Sequence, residues 1–432
     1  MTCPTELYDK LSAGAYDRQL ATLYGPQKSS AARKRSRSRA RQVVNGFLRL
    51  WPQLAGVPAA LFSSPGRTEL GGNHTDHQGG RVLCASVDMD MLACAAPNGT
   101  NTVELYAEGY GHFSVDLSDL SPRREELGTT AALVRGMAAG FVQGGHPVQG
   151  YCAYVTSNVP AGSGLSSSAA LEVLLGVIQN HLFCNDILSN TRLAVLGQAT
   201  ENRYFGKPCG LMDQIGCAVG GTIAIDLGDP ELPRIRQIDF DYTASGYQLY
   251  IIDTGSDHRD LTDAYAAIPA EMGQVAAFFG QQVLSRVERD VFWQSIPILR
   301  AKVGDRAVLR AIHFFEENAR VCLQTAALSA GDFEVFLKLC RQSGRSSAMY
   351  LQNSTVPVAP RHQAVMLARA VVQTLLGDRG AVRVHGGGFA GTVQAFVPID
   401  IEDTFTRTVQ SVFGSHSCRL LHIRSQGGCV VV

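Results

Sequence analysis

Apolar and polar positions divide the chain into a few stretches of different character. Residues 1 to about 55 read as helical and surface-exposed, ending in VVNGFLRLW. From Val57 to about Asp239, strand and helix patterns mix. Tyr151-Cys-Ala-Tyr-Val-Thr-Ser alternates like a half-buried strand. Ala169 to Phe183 places Leu171, Leu174, Leu175, Ile178 and Leu182 at the spacing of a helix with one core face. A second section starts near Tyr247, where YQLYIIDTG predicts a buried strand. Helical spacing follows from Asp263 to about Leu376, and strand patterning returns from Ala381 to Val432. With no internal repeat and no long linker, the expectation is α+β, in two closely packed domains covering 1–240 and 241–432.

Composition narrows the function classes. The chain has 432 residues, 45% of them hydrophobic, which excludes a disordered polymer. Basic and acidic residues number 38 each. Zero net charge argues against nucleic acid or an anionic membrane as the main partner. The run from Ala31 to Gln42 carries Arg33, Lys34, Arg35, Arg37, Arg39 and Arg41. In a neutral chain it reads as the solvated face of a helix rather than a nucleic-acid or targeting patch. MTCPTELYDK lacks the basic start and apolar run of a signal peptide, and no stretch of about 18 apolar residues occurs. Eleven cysteines without framework spacing suit reduced thiols, so a cytoplasmic location is expected.

The 44 glycines concentrate in three segments: Ser63 to Gly80, Val159 to Val173 and Val384 to Val397. In the second, VPAGSGLSSSAALEV, a strand runs through Gly162, Gly164 and three serines straight into an amphipathic helix. Glycines let backbone amides approach an anion, and the helix N-terminus adds unpaired N–H groups and a positive dipole end. Ser166, Ser167 and Ser168 can donate hydroxyls or ligate a metal. A plain turn with a serine cap is the competing reading. No GxxxxGK[ST] loop exists, since the Lys of Gly206-Lys207 is followed by Pro208.

Gly386, Gly388 and Gly391 spell GxGxxG, but TVQAFV after them reads as a strand where a dinucleotide fold needs a helix. His258-Arg259-Asp260-Leu261 mimics a protein-kinase catalytic loop. It has Tyr265 at the required Asn and no DFG downstream, because Asp332-Phe333 precedes Glu334. The first glycine segment packs Arg67, Glu69, Asn73, His74, Asp76 and His77 into eleven positions, a cluster able to bind the hydroxyls of a small polar ligand. Metal ligation by His74, Asp76 and His77 is disfavoured by their close spacing. In ATENRYFGKPCGLMDQIGC, Glu201 falls on a helical pattern, and Asp213 follows Gly210 as a candidate base or a helix cap.

Together these segments resemble the galactokinase family of the GHMP small-molecule kinases, from about Val57 to the C-terminus. The first is similar to the signature GRxNLxGEHTDYxGG, the second to the PxGxGLSSSAxLEV phosphate loop and the third to GGGFGG, with CGLMDQ between them. The resemblance implies an N-terminal ribosomal-protein-S5-like domain, a C-terminal ferredoxin-like α/β sandwich domain and an active site in the cleft between. It implies ATP and Mg²⁺ as cofactors and a small-molecule sugar as partner. It also implies transfer of the γ-phosphoryl group to the anomeric hydroxyl by a monomer.

Residue by residue, the resemblance implies Asp213 as base and Arg67 as stabiliser of the transferred group. Gly162, Ser163, Gly164, Leu165, Ser166, Ser167 and Ser168 would hold ATP, and Ser168 with Glu201 would hold Mg²⁺. Asn73, His74, Thr75, Asp76, Gly210 and Tyr265 would line the sugar site, although Ala267 and Ile268 replace the arginines that often follow the tyrosine. Asn73 replaces the Glu that meets the sugar near C6 in the family, His77 replaces a Tyr, and Ala390 replaces a Gly, tolerable if its φ is negative. Loss of the carboxylate at 73 leaves open galacturonate, arabinose or N-acetylgalactosamine beside galactose. A non-catalytic sugar and nucleotide sensor is the competing class, opposed by an intact Ser166-Ser167-Ser168-Ala169 with Asp213 and Arg67.

Overall fold

In the computed structural model the described residues are 2–24, 30–160, 162–229, 232–256 and 261–432. The His258-Arg259-Asp260 stretch lies outside them. The strands are β1 (Ala60–Gly71), β2 (Arg81–Pro97), β3 (Thr102–Ala107), β4 (Gly111–Asp116), β5 (Tyr151–Ser157), β6 (Thr222–Asp226), β7 (Arg234–Ile238), β8 (Tyr247–Asp253), β9 (Ala381–Val384), β10 (Thr392–Pro398), β11 (Cys418–Leu421) and β12 (Cys429–Val430). The first sheet runs β12-β1-β2-β5-β3-β4, with β6 on the long β2 and β7 beyond β6. The second runs β11-β8-β10-β9. Only the β3–β5 pair is parallel among the strands described.

Helices Thr130–Gln143, Ser167–Phe183, Asn190–Thr200 and Met212–Val219 cover one face of the first sheet, packing on Ala93, Ala95, Ala153 and Val155. The opposite face is also covered, which corrects two expectations. β5 is buried on both sides, because Cys152 and Tyr154 face the N-terminal helices. Those helices are not merely surface-exposed: Leu7, Leu11, Leu20, Leu23, Val43, Val44 and Phe47 are buried against Leu61, Leu92 and Cys94. Gly46 permits this approach, since a Cβ there would stand 2.5 Å from a ring carbon of Tyr154. Nothing in a polar-to-apolar alternation says what covers the second face, so β5 reads as half-buried from sequence alone.

The basic run divides in the same way. Arg33, Lys34 and Arg35 are exposed, whereas Arg37 pairs with Asp17 and Arg41 lies 5.0 Å over the Tyr8 ring. Arg39 reaches the fully buried Asp90, which also meets Arg424 at 3.2 Å and Tyr24 Oη at 2.9 Å. Burial opposes the charge of Asp90, but Arg39 and Arg424 outweigh it and hold the carboxyl below its usual range.

Helices Ala364–Leu376 and Glu402–Phe413 pack on one face of the second sheet. On the other, helices Asp305–Ser329 and Phe333–Ser346 bury Val321, Phe336 and Leu337 against Leu249 and Phe396. They share that core with Leu70, Leu83 and Leu165 of the first half. The two sheets are thereby joined, and β1 runs along the seam. No helix among the described residues is long and apolar enough to cross a membrane, and all eleven cysteines are free.

Candidate active site

β1 carries Arg67 between two register shifts, Pro65/Arg67 and Glu69/Gly71. Such bulges re-aim side chains. Arg67 is 4% exposed, and its Nε and Nη2 donate to Asp213 Oδ1 at 2.9 and 2.5 Å, while Nη1 donates to Gly164 O. Gly216 makes room for the arginine: a Cβ there would lie 2.8 Å from Arg67 Cβ. Asp213 sits in the first turn of helix Met212–Val219, where the dipole favours an anion. It is not the cap, which is Leu211. Burial raises its pKa, but Arg67, Ser166 and Lys207 outweigh that, so the carboxyl is held below the usual range.

The phosphate-loop candidates converge on the same carboxylate. Ser166 Oγ donates to Asp213 Oδ2 at 2.6 Å. Ser166 is in the left-handed region at φ 60, a conformation costing a non-glycine residue about 1–2 kcal/mol, and this bond helps hold it there. Helix Ser167–Phe183 begins next, and its first backbone bond runs from Ala170 N to Ser166 O. The amides of the preceding turn have no intrahelical acceptor. Gly162 and Gly164 both have φ 72. Leu165 is buried and its carbonyl accepts Arg67 N–H, and Ser163 Oγ donates to Pro160 O.

Ser168 Oγ donates to Glu201 Oε1 at 2.9 Å. Glu201 opens a π-helical turn, Glu201–Phe205, rather than continuing an ordinary helix. Lys207 Nζ meets the same oxygen at 3.1 Å, and Gln214 donates to Oε2 at 2.8 Å. Lys207, set aside above for want of a Walker loop, thus lands beside the phosphate loop. The π turn, closed by the Gly206 and Lys207 N–H groups on Glu201 O, brings it there, which no spacing rule reveals.

Among the residues expected at a sugar, His74 holds φ 57 and its Nε2 bonds Gly387 O at 2.9 Å. Burial pushes its pKa down to about 4, so the ring is neutral. Asp76 is pushed up to about 6 by burial and then by Asp213. Gly210 lies against it so closely that a Cβ would overlap Asp76 Oδ2. Tyr265 donates to Gly388 O at 2.6 Å and meets Phe389 edge-on. Two candidates do not reach the cleft. Asn73 and Thr75 are both 0% exposed, and the Thr75 hydroxyl bonds Gly72 O and Arg81 O. The argument that a neutral residue 73 opens the pocket to a sugar acid loses its contact.

The third glycine segment links both halves. Thr392 Oγ1 donates to Ser163 O at 2.9 Å, and the buried His385 lies between Thr392 and Thr68 at 3.1 Å from each. Gly386, Gly388 and Gly391 all have positive φ, and Ala390 does not, so the alanine is accommodated. TVQAFV is strand β10, as expected, and not a dinucleotide-binding helix.

Comparisons with known proteins decide the family. The galactokinase galactose-binding signature matches residues 53–97, and the GHMP kinases N terminal domain matches residues 130–221. Galactokinase of Lactococcus lactis complexed with galactose superposes with a TM-score of 0.77 at 25% identity, covering 90% of this chain and 99% of that one. The chain belongs to the galactokinases of the GHMP kinase family. More distant GHMP enzymes share the fold: Methanococcus jannaschii mevalonate kinase matches at TM-score 0.60 and 15% identity over 85% of this chain and 98% of that one. Streptococcus pneumoniae phosphomevalonate kinase in complex with phosphomevalonate and AMPPNP matches at 0.57 and 13% over 84% and 98%. As a GHMP galactokinase the chain is a phosphotransferase acting on a sugar hydroxyl, and the α+β two-sheet architecture is the GHMP kinase fold. In this kinase the two matched segments meet at the Arg67–Asp213 contact, one containing each partner.

Proposed function

We propose that the chain transfers the γ-phosphoryl group of ATP to the anomeric hydroxyl of α-D-galactose, giving galactose 1-phosphate, ADP and a proton. The observation that carries this is the Arg67–Asp213–Ser166 constellation at the mouth of a glycine-rich loop and helix N-terminus. Phosphoryl transfer needs alignment and charge neutralisation more than covalent help. Amides of Gly162 to Ser168 cradle the phosphates, and Arg67 faces the charge that spreads over the transferred oxygens. Asp213, kept ionised by Arg67, accepts the hydrogen bond of the sugar hydroxyl and directs its oxygen lone pair at phosphorus. Because its basicity is low, its main contribution is orientation. His74, Asp76, Gly210 and Tyr265 surround the sugar in this reading.

Mg²⁺ fits the residues present. Ser168 Oγ and Glu201 Oε1 form a pair of hard oxygen donors 2.9 Å apart at the head of the phosphate-loop helix. When bound there it would neutralise phosphate charge. Lys207 holds the same carboxylate oxygen, so a bound cation shares Glu201 with the ammonium or displaces it. The division into residues 1–240 and 241–432 goes with this reading. β8 opens the second sheet at Tyr247, while β12 returns the C-terminus to the first. A monomer acting in the cytoplasm, with its cysteines reduced, completes it.

A coupled ADP-release assay over galactose, galacturonate, arabinose, glucose and N-acetylgalactosamine, with phosphorus NMR of the product, tests the proposal. Galactose 1-phosphate is the expected product. Greater turnover on galacturonate would replace the substrate, and no turnover on any of the five would favour a sensor.

A further inference from the structure

The turn that follows β1 is fastened from behind by the second half of the chain. Glu69 is 1% exposed on β1, and Arg383 of β9 donates from Nη1 to Glu69 O at 2.9 Å and from Nη2 to Glu69 Oε1. Asn73 Nδ2 donates to Glu69 Oε2 at 3.3 Å and to Gly386 O at 2.8 Å. Its Oδ1 accepts from Asn353 Nδ2 at 2.8 Å and Ser347 Oγ at 3.2 Å. Its backbone carbonyl is met by His313 Nε2 at 2.8 Å, and Gly72 N–H donates to Glu317 Oε1 at 3.1 Å. Both amide hydrogens and the amide oxygen of Asn73 are therefore engaged by protein, with no surface left for a ligand.

Laid on the signature GRxNLxGEHTDYxGG, Glu69 stands at the Asn and Asn73 at the Glu. Carboxylate and amide have changed places, and they touch. A carboxylate at 69 meets Arg383 within the seam, whereas residue 73 is left as a neutral amide matched to two acceptors, the Glu69 carboxylate and the Gly386 carbonyl, and to two donors, Asn353 and Ser347. A buried ion pair is weak evidence of stability in itself, because desolvation offsets attraction. What it does supply here is fixed geometry at the root of the turn that presents His74 and Asp76.

We propose that Glu69, Arg383 and Asn73 form a positioning joint for the sugar-binding turn, and that the exchange withdraws residue 73 from the sugar surface. This rests on the sugar-kinase reading above. The joint acts through His74 and Asp76, while the side chains of Thr392, Arg67 and Asp213 hold the phosphate loop, which Glu69 reaches only from its backbone N–H through His385 at 3.4 Å. Sugar and nucleotide affinity must therefore respond differently, which a general loss of stability would not produce.

The test compares the parent enzyme with Glu69→Gln and Arg383→Lys, measuring kcat, the KM for galactose, the KM for ATP and Tm. Glu69→Gln is expected to raise the galactose KM at least tenfold, and Arg383→Lys by less, since it keeps the charge. ATP KM stays within twofold in both. The joint is overturned if the galactose KM of both variants stays within twofold of the parent. It is also overturned if galactose and ATP KM rise together, or if neither variant folds, any of which would leave the pair a structural contact. No galactose turnover by the parent enzyme would overturn the sugar-kinase reading itself and this inference with it.

Discussion

Arg67 and Asp213 meet through a single carboxylate oxygen: Nε and Nη2 both reach Oδ1, and Oδ2 is left to Ser166. The division matters chemically. The oxygen shared with Arg67 is charge-compensated, whereas the one facing Ser166 needs only a hydroxyl donor. A sugar hydroxyl can take the place of Ser166 Oγ there. Asp213→Asn should keep the fold and lower kcat by roughly 10²–10⁴-fold, the range for a positioned acid–base group. Asp213→Ala should in addition lose about 3–5 kcal/mol, because it strands a buried guanidinium. Steady-state kinetics and denaturant melts on both variants check this, and near-normal turnover by folded Asp213→Asn would remove Asp213 from the mechanism.

Asp76 sets a pH dependence. Its folded pKa, about 6, is raised above its ordinary 3.8 by burial and by Asp213. A raised carboxyl contributes stability that is fully present below about pH 3.8 and is lost as pH rises through about 6. Asp213 has the opposite sign. Its folded pKa is depressed, so its contribution is present above the ordinary carboxylate pKa and is lost as pH falls through the folded value. If ionised Asp76 accepts sugar hydroxyls, kcat/KM for sugar should rise with pH through an inflection near 6 that is missing in Asp76→Asn. A profile equally inflected in both proteins would assign the titration elsewhere.

Gly210→Ala should damage sugar binding specifically, because the added Cβ overlaps Asp76 Oδ2. The helix that follows, with Asp213 in its first turn, is packed on Arg67 at Gly216 and cannot retreat freely. A rise of about tenfold or more in sugar KM is expected, as displacement by about 1 Å can cost 10²-fold in rate. Unchanged sugar KM would show that Asp76 moves aside at no cost.

At the far side of the first sheet, Arg39→Ala should affect stability alone. Asp90 keeps Arg424, Tyr24 and Ser63 but loses one charged partner. The expected loss is about 1.5–3 kcal/mol, seen by calorimetry, with kcat and both KM values unchanged per folded molecule. Altered kinetics would mean that the N-terminal helices communicate with the site.

Much of this site is legible along the chain because phosphate cradles are local. A strand, glycines, serines and a helix start occupy one segment, and Val159 to Val173 carries them in order. β10 is equally legible, since Thr392 to Val397 has the β-branched and aromatic content of a strand. What escapes is anything decided by a partner far away. Asn73 looks like a ligand contact until Asn353 and Gly386 consume its amide. Arg39 looks like part of a solvated run until Asp90, in β2, proves to lie beneath it. Glu69 stands at the signature's Asn, but that departure carries no hint of a partner, and only Arg383, 314 positions later, shows what the carboxylate does.

Lys207 and Ser168 compete for one oxygen of Glu201, at 3.1 and 2.9 Å. An ammonium and a divalent cation repel when they share a carboxylate, so Lys207 should weaken cation binding at that oxygen while adding positive charge beside the phosphates. Lys207→Met is then expected to lower the Mg²⁺ concentration needed for half-maximal activity severalfold. It should also reduce kcat, since one cation near the transferred group is gone. Glu201→Gln should do the reverse to the Mg²⁺ requirement, raising it about tenfold or more. Magnesium titrations at fixed ATP, paired with calorimetric ATP binding at each Mg²⁺ concentration, separate the two effects. An identical Mg²⁺ requirement in the parent and both variants would place the cation away from Glu201.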